Sequence, residues 1–339
     1  MTRAAASVGQ YRCGRSCLLK LANAAALFTF ATFLLPTAAL AGDATAPCGQ
    51  AIVADMPARA STAPTGSEFA RRVSSLSETD REAAIEAELL AGNMPAFLRK
   101  AAPVMLTGTL PDGRTTRVTV CVLVDYLAIG SDRDFLYVPM RLETALVVAD
   151  RYHATLPTNR MVDATYDQAA VKLSPQPLPA GPEMRSTAYY THHNEIIAEQ
   201  RAALGAVPGV LTSGHKKDLV IADRLWQFPD RVAIYGWLRA SHDPIQPLST
   251  WHGARYADYS HGARLVGTTI YVDGKPMAIF DALADPNLSR ILNGDGPIPR
   301  GAQLVAMLAS RELEPQRVAQ IASPPAPTTT LAAAGAVQH

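Results

Sequence analysis

A short turn between two apolar runs constrains the fold of this chain more than any other feature of its sequence. An Asp-Gly pair at residues 112–113 separates an apolar run at 104–110 from another at 115–124. Asp-Gly between apolar runs is a strong local signal for a β-hairpin, because both residues tolerate the backbone that a tight turn needs. A second Asp-Gly pair, at 273–274, lies between further runs rich in Val, Ile and Tyr. Two hairpins of this kind predict a mainly antiparallel sheet.

Helices are predicted where apolar residues recur at helical spacing and capping residues lie at the ends. Thr79 and Glu82 have the spacing of a capping box, and Gly92 suits the residue after a helix C-terminus. Further helices are predicted at 141–152, 158–170, 189–204 and 302–312, and further strands at 231–238, 263–271 and 277–280.

The order of these elements favours one fold class. Strands and helices are mixed without regular alternation, which is typical of an α+β fold rather than a doubly wound one. We therefore expect a single globular α+β domain at 67–322, a mainly antiparallel sheet with flanking helices, with 67–183 and 184–322 as candidate halves. Residues 42–66 are expected to form a flexible arm, and 323–339 a disordered tail of Ala, Pro and Thr.

The first 41 residues resemble a secretory signal peptide. Their charged residues are all basic, and an apolar run covers 21–41. The run ends in Ala39-Leu40-Ala41, which places small residues at −3 and −1 of a cleavage site before Gly42. The alternative is an uncleaved anchor, because about 20 apolar residues can span a bilayer. Cleavage predicts a secreted or periplasmic protein with no stable membrane insertion.

Removal of this segment also changes the charge of the chain. The full sequence carries a formal charge of +1, but residues 42–339 hold 27 Lys and Arg against 30 Asp and Glu. A mildly acidic protein is not expected to bind nucleic acid through its net charge. No GxGxxG or Walker phosphate loop occurs, so nucleotide binding has no support.

Two cysteines remain after cleavage, Cys48 and Cys121. In an oxidising compartment an isolated pair most simply forms one disulfide, which here would join the N-terminal arm to a predicted strand. Closing so long a loop contributes about 4 kcal/mol in the chain-entropy description. The alternative is two buried free thiols.

Residues able to carry chemistry are concentrated in one part of the chain. Six of the eight histidines and all three tryptophans lie between His192 and His261. Such clustering suits a surface that contacts a ligand, and the alternative is an aromatic-rich core that contains histidines by chance.

The first polar stretch of this region is residues 214–218. His215 is a candidate general acid or base, because the pKa of an imidazole lies near neutrality. Asp218 can orient His215 or cap the next helix. Lys216 or Lys217 can hold a carboxylate or stabilise developing negative charge. The alternative is a solvated charged turn.

The densest stretch is a predicted loop at 251–264. His261 is a second candidate acid or base, with Asp258 to orient it. The hydroxyl of Ser260 is expected only to form a hydrogen bond within a turn. His252, Asp258 and His261 could also meet around one metal ion such as zinc. Their spacing matches no metal motif and H-E-x-x-H is absent, so no cofactor is predicted and zinc stays an alternative.

Aromatic and basic side chains of the same region are candidates for substrate binding. Trp251, Tyr256 and Tyr259 can stack on sugar rings, while Arg264 and the lysines of 214–218 supply positive charge. This combination suits an anionic small molecule, or a polymer that contains sugar or peptide. The alternative is that the tyrosines simply pack beneath the loop.

One helix also contributes candidates. His193, Ile197 and Leu204 share a face of the helix predicted at 189–204, so His193 is expected to point towards the core. If this face borders a cleft, His193 and Asn194 join the substrate site.

Three functions remain open at this point. The first is a hydrolase of a cell-envelope or extracellular polymer, with His215 or His261 as acid or base. The second is a polysaccharide lyase in which Tyr259 or His261 abstracts a proton and Lys217 or Arg264 neutralises a carboxylate. The third is a non-catalytic binding protein outside the cytoplasm, with the aromatic cluster as its binding face. Oligomeric state is not predicted.

Overall fold

The structure, a computed structural model, describes Cys48 and residues 52–310; the predicted signal peptide at 1–41 and tail at 323–339 lie outside these residues. The strands are β1 (Ala101–Thr109), β2 (Thr115–Leu123), β3 (Ala128–Gly130), β4 (Phe135–Tyr137), β5 (Ala154–Thr155), β6 (Val171–Lys172), β7 (Thr212–Ser213), β8 (Lys217–Leu219), β9 (Ile234–Leu238), β10 (Pro244–Ser249), β11 (His261–Gly262), β12 (Val266–Gly267), β13 (Thr269–Val272) and β14 (Lys275–Ala278). The α-helices are α1 (Gly66–Val73), α2 (Glu78–Leu90), α3 (Leu142–Arg151), α4 (Asn159–Gln168), α5 (Thr187–Ala203), α6 (Ile279–Ala284), α7 (Ser289–Leu292) and α8 (Gly301–Ala309), with 3-10 turns at Ala96–Arg99, Pro182–Arg185 and Asp223–Trp226.

Both predicted hairpins are present. Strands β1 and β2 pair antiparallel from Ala101 opposite Leu123 to Thr109 opposite Thr115. Strands β13 and β14 pair around Asp273 and Gly274, whose φ angles are +47° and +81°. Positive φ at both central residues is the backbone of a two-residue hairpin turn that matches strand twist, and Asp-Gly adopts it readily.

Strand β2 is the centre of a six-stranded sheet. It pairs with β1, β12 and β13, while β5 and β14 lie further out. Val118, Val120 and Val122 alternate along β2 and are fully buried, so they mark the face of the strand that packs on the core. Helices pack around mainly antiparallel sheets in a single compact unit that contains all described residues, which confirms the predicted α+β class.

A smaller sheet, in the order β10-β9-β8-β11, positions the polar residues of interest. Strands β8 and β11 run parallel, with Lys217 opposite His261 and Asp218 opposite Gly262. The main-chain N–H of Lys217 donates to the carbonyl of Ser260 at 2.7 Å. Because directly paired residues project to the same face of a sheet, Lys217 and His261 share one face and Asp218 faces the other way.

The disulfide predicted from the cysteine count joins Cys48 to Cys121, with their Cα atoms 5.3 Å apart. Cys121 lies on the buried strand β2, so the bond ties the N-terminal segment to the middle of the larger sheet. Ile52 and Met56 are buried as well. The described part of the arm at 42–66 therefore packs on the core instead of extending away from it.

Two local predictions need correction. Helix α2 begins after Ser77, whose hydroxyl accepts from the main-chain N–H of Asp80 at 3.1 Å, and not at Thr79. The expected capping partner Glu82 instead accepts from the main-chain N–H of Arg141 at 2.7 Å. Leu204 is 62% exposed and not buried with His193, because α5 ends at the preceding residue.

Candidate functional site

The three polar segments singled out in the sequence meet in the structure. The ammonium of Lys216 donates to the carbonyl of Tyr259 at 2.6 Å and lies 3.2 Å from Nδ1 of His193. Helix α5, the start of β8 and the loop before β11 thus converge on one lysine. Residues separated by more than 60 positions in the chain form a single cluster, as a site assembled from distant segments requires.

Most members of this cluster are deeply buried. Eight of the predicted site residues are at most 2% exposed, namely His193, His215, Lys216, Asp218, Asp258, Tyr259, His261 and Arg264. Lys217, His252, Tyr256 and Asn194 are half-buried. Within this cluster, only the half-buried residues offer atoms to a molecule in solution in this conformation.

His215 is paired with a carboxylate that sequence reasoning missed. Its Nε2 lies 3.4 Å from Oδ1 of Asp125, an ion-pair distance without the alignment of a hydrogen bond. Asp125 also accepts from Nη2 of Arg201 at 2.7 Å and from the hydroxyl of Tyr137 at 2.8 Å. An acidic residue directly after an apolar strand is the sequence signal that could have identified Asp125.

The charges of this pair follow from burial and from each other. Burial lowers the pKa of His215 to about 4, although the neighbouring Asp125 acts in the opposite direction. Burial by itself would raise the pKa of Asp125, but His215 and Arg201 outweigh it and hold that pKa well below its usual range. His215 is therefore neutral, and Asp125 ionised, at neutral pH.

Asp218 is not the partner of His215, contrary to one expectation. Its carboxylate accepts from the hydroxyl of Tyr126 at 2.8 Å. Burial raises the pKa of Asp218 to about 7, and the charge of Arg264 only partly offsets this. Asp218 points away because it alternates with Lys217 along β8, and it does not cap a helix.

Arg264 holds the fold together and does not face solvent. Its guanidinium donates to the carbonyls of Leu123 at 2.7 Å and Thr212 at 2.6 Å, and it lies 4.3 Å from the ring centroid of Tyr126. A buried arginine that satisfies main-chain carbonyls is a structural group. In this conformation Arg264 is not accessible to a substrate, so its predicted role in substrate binding gains no support.

His261 and Asp258 are both fully buried, and the Asp258 carboxylate is held by several donors. The carboxylate of Asp258 accepts from the main-chain N–H of Ser260 at 2.8 Å, from the Ser260 hydroxyl, and from the hydroxyl of Tyr256 at 3.0 Å. Burial would raise the pKa of Asp258, but the charges of His261 and Lys217 lower it to about 2. Burial lowers the pKa of His261 to about 4 against the influence of Asp258.

The stacked rings of His252 and Tyr256 lie next to His261. His252 and Tyr256 lie parallel with centroids 4.0 Å apart, and the Tyr256 ring is 5.7 Å from that of His261. Both residues of the stack are half-buried, whereas His261 is fully buried. Within the described part of the chain, no group of three or more His, Cys, Asp or Glu side chains is arranged to hold a metal ion, and His252, Asp258 and His261 do not form one.

Lys216 is a buried lysine whose ammonium is close to losing its proton at neutral pH. Burial lowers its pKa to about 7, while Asp258 and Asp125 favour the charged form. The pKa falls because the ammonium loses its hydration on burial, and lysines with such lowered pKa values occur at functional sites. Its contacts to His193 and Tyr259 hold it in place and do not expose it to a ligand.

Three other predicted binding residues have different roles. Asn194 bridges α5 to β4 by accepting from the main-chain N–H of Tyr137 and donating to the carbonyl of Phe135, both at 3.0 Å. The hydroxyl of Tyr259 accepts from the main-chain N–H of Leu178 at 2.7 Å. Trp251 is 81% exposed and lines a separate cavity of about 570 Å³.

Buried nitrogen atoms without a hydrogen-bond partner gather in this cluster. Among the residues that the structure describes, they include Nε2 of His193, both ring nitrogens of His261 and Nε1 of Trp237. Each such atom costs about 1–3 kcal/mol, and native proteins hold few of them. Trp237 also has a φ of +57°, which a non-glycine residue seldom adopts. Unsatisfied groups and backbone strain together are typical of functional sites.

Comparisons with known proteins find no match, so the function has to be inferred from the geometry of the site. Among the described residues, none of the helices combines the length and the apolar character that crossing a bilayer requires. Profiles of protein families, curated proteins and solved structures were all compared with this chain, and none of them matches it.

Proposed function

We propose that the protein is an exported hydrolase of a cell-envelope or extracellular polymer. The observation that carries the proposal is that His261 lies opposite the half-buried Lys217 across two paired strands, while its main-chain N–H donates to the carbonyl of Asp258 at 3.0 Å. Lys217 and His261 are opposite each other across β8 and β11 and share one face. A base, an anion beside it and a cation at the solvent side are the groups that hydrolysis needs.

Each group has a defined role in this proposal. His261 is neutral at pH 7, because burial lowers the pKa of its imidazole to about 4, and it can accept a proton from an attacking water. Asp258 stabilises the imidazolium that forms. The ammonium of Lys217 stabilises negative charge on the substrate, and His261 then returns the proton to the leaving group. The stacked rings of His252 and Tyr256 must separate for the substrate to reach His261.

A non-catalytic binding protein is the second candidate, and the burial of the acid and base groups favours it. The exposed Trp251 and Phe228 line a cavity of about 570 Å³ together with Arg231, which donates to the Trp251 carbonyl at 2.8 Å. Such a surface can bind a sugar-containing anion without any reaction. A lyase has less support, because Tyr259 and Arg264 are committed to main-chain partners.

Turnover assays with paired variants test these alternatives. His261→Gln is expected to lower hydrolysis of peptidoglycan or an acidic polysaccharide by about 10²–10⁴-fold, the usual contribution of a general base. Trp251→Ala is expected to weaken polymer binding. His192→Gln is the control, because the His192 side chain is 59% exposed on α5. Product chains are counted by their new ends, and an unsaturated sugar detected by ultraviolet absorbance would indicate elimination instead.

Two outcomes would reject the hydrolase. One is unchanged turnover in His261→Gln at normal stability, and the other is no turnover of any polymer while Trp251→Ala still abolishes binding. The second result would establish the binding protein.

A further inference from the structure

A second candidate site is a cavity along α5 that the proposed reaction does not use. Its volume is about 360 Å³, within the range of small-molecule sites. The residues that line it include Arg133, Asp134, Tyr137, Ile197, Arg201 and Ala202.

Arg201 gives this cavity its chemistry. The residue is 6% exposed, and its Nη2 donates to the carboxylate of Asp125 at 2.7 Å and to the hydroxyl of Tyr137. Its Nη1 is buried and has no hydrogen-bond partner among the described residues. A guanidinium presents five donors in a rigid fork, and a carboxylate is the group that best satisfies one that remains free.

The other residues of the lining determine which chemical groups of a ligand can lie beside Arg201. Ile197 and three alanines of the α5 region form apolar walls, and the exposed Arg133 adds a second cation. The carboxylate of Asp134 accepts from the main-chain N–H and the hydroxyl of Ser67, at 2.9 and 2.6 Å, and is therefore engaged at the start of α1. The cavity thus combines an unpartnered guanidinium donor of Arg201 with apolar walls.

We infer that this cavity binds a small organic anion, a carboxylate whose apolar part lies against α5 and whose charge is recognised by Arg201. A neutral molecule would leave the guanidinium donor unpaired, and an inorganic anion would leave the apolar walls uncovered. The site is independent of turnover at His261.

Binding of hexanoate and of hexanamide to the purified protein tests the inference, because the two probes differ in charge and hardly in shape. Saturable hexanoate binding is expected, with a Kd of roughly 1 mM or tighter for a ligand of this size. Hexanamide is expected to bind at least about tenfold more weakly, since a charged partner strengthens a hydrogen bond. Isothermal calorimetry or ligand-observed NMR gives both constants.

Two variants of α5 localise the binding without disturbing the buried ion pair. Ala202→Leu fills the cavity, whereas Ala203→Leu adds the same volume at the next residue, which is exposed and does not line it. Hexanoate affinity is expected to fall about tenfold or more in the first and to stay unchanged in the second. Equal binding of the amide, equal effects of the two variants, or no saturable binding to the unaltered protein would overturn the inference.

Discussion

Acidification from about pH 6.5 to about pH 4 is expected to lower the free energy of unfolding by about 3 kcal/mol per pH unit. Burial lowers the pKa of both His215 and His261 to about 4, and it lowers the pKa of His193 as well. In the unfolded chain these three histidines titrate near pH 6.5. Below that pH the unfolded state therefore binds three protons that the folded state excludes.

One buried carboxyl opposes this trend. Burial raises the pKa of Asp218 to about 7, so the folded state holds a proton there that the unfolded state releases above about pH 4. Asp163, whose pKa is also raised by burial, adds a smaller effect of the same sign. About two protons are then taken up on unfolding, each worth about 1.4 kcal/mol per pH unit, so stability falls as the pH falls.

Urea unfolding at a series of pH values measures this slope. His261→Gln is expected to reduce this slope by about one proton, because glutamine does not titrate. No hydrogen bond is lost in this variant, since both ring nitrogens of His261 lack partners among the described residues. His192→Gln, at an exposed position of α5, is expected to leave it unchanged. A flat stability curve between pH 6.5 and 4, or equal slopes in the two variants, would contradict the assignment of neutral buried histidines.

Loss of the disulfide is expected to destabilise the protein by about 4 kcal/mol. Cys48 and Cys121 are separated by 73 residues, so their bond removes a large amount of conformational freedom from the unfolded chain. Cys48→Ala breaks the bond and keeps Cys121 in place on the buried strand β2. The midpoint of urea unfolding at neutral pH measures the effect.

A reductant provides the matched control for this variant. It should shift the unfolding midpoint of the unaltered protein close to that of Cys48→Ala and should not affect Cys48→Ala itself. A loss below about 1 kcal/mol would show that the N-terminal segment is held to the sheet by packing of Ile52 and Met56 alone.

The fold could be predicted where local signals agree with tertiary contacts. Both Asp-Gly pairs form hairpin turns, because the glycine of each pair adopts a positive φ readily, +84° at Gly113 and +81° at Gly274. The start of α2 was misplaced, because Glu82 is used by the distant main chain of Arg141 and its spacing from Thr79 was accidental. Local patterns cannot reveal such competition from another segment.

The candidate site was harder to predict than the fold. Clustering in the chain identified segments that do meet around Lys216, but not which carboxylate pairs with His215. Asp125 lies 90 residues before His215, and no periodic pattern relates positions so far apart. Burial was underestimated for the same reason, since Lys216 and Arg264 appear polar in the sequence and are enclosed only by tertiary packing.

The parallel pairing of β8 with β11 has a consequence for protein engineering. Main-chain hydrogen bonds place position 217 beside position 261, so their spacing does not depend on which side chains occupy them. Paired substitutions at these two positions can therefore be compared at a constant main-chain register, provided that the side chain at the fully buried position 261 keeps a volume close to that of histidine.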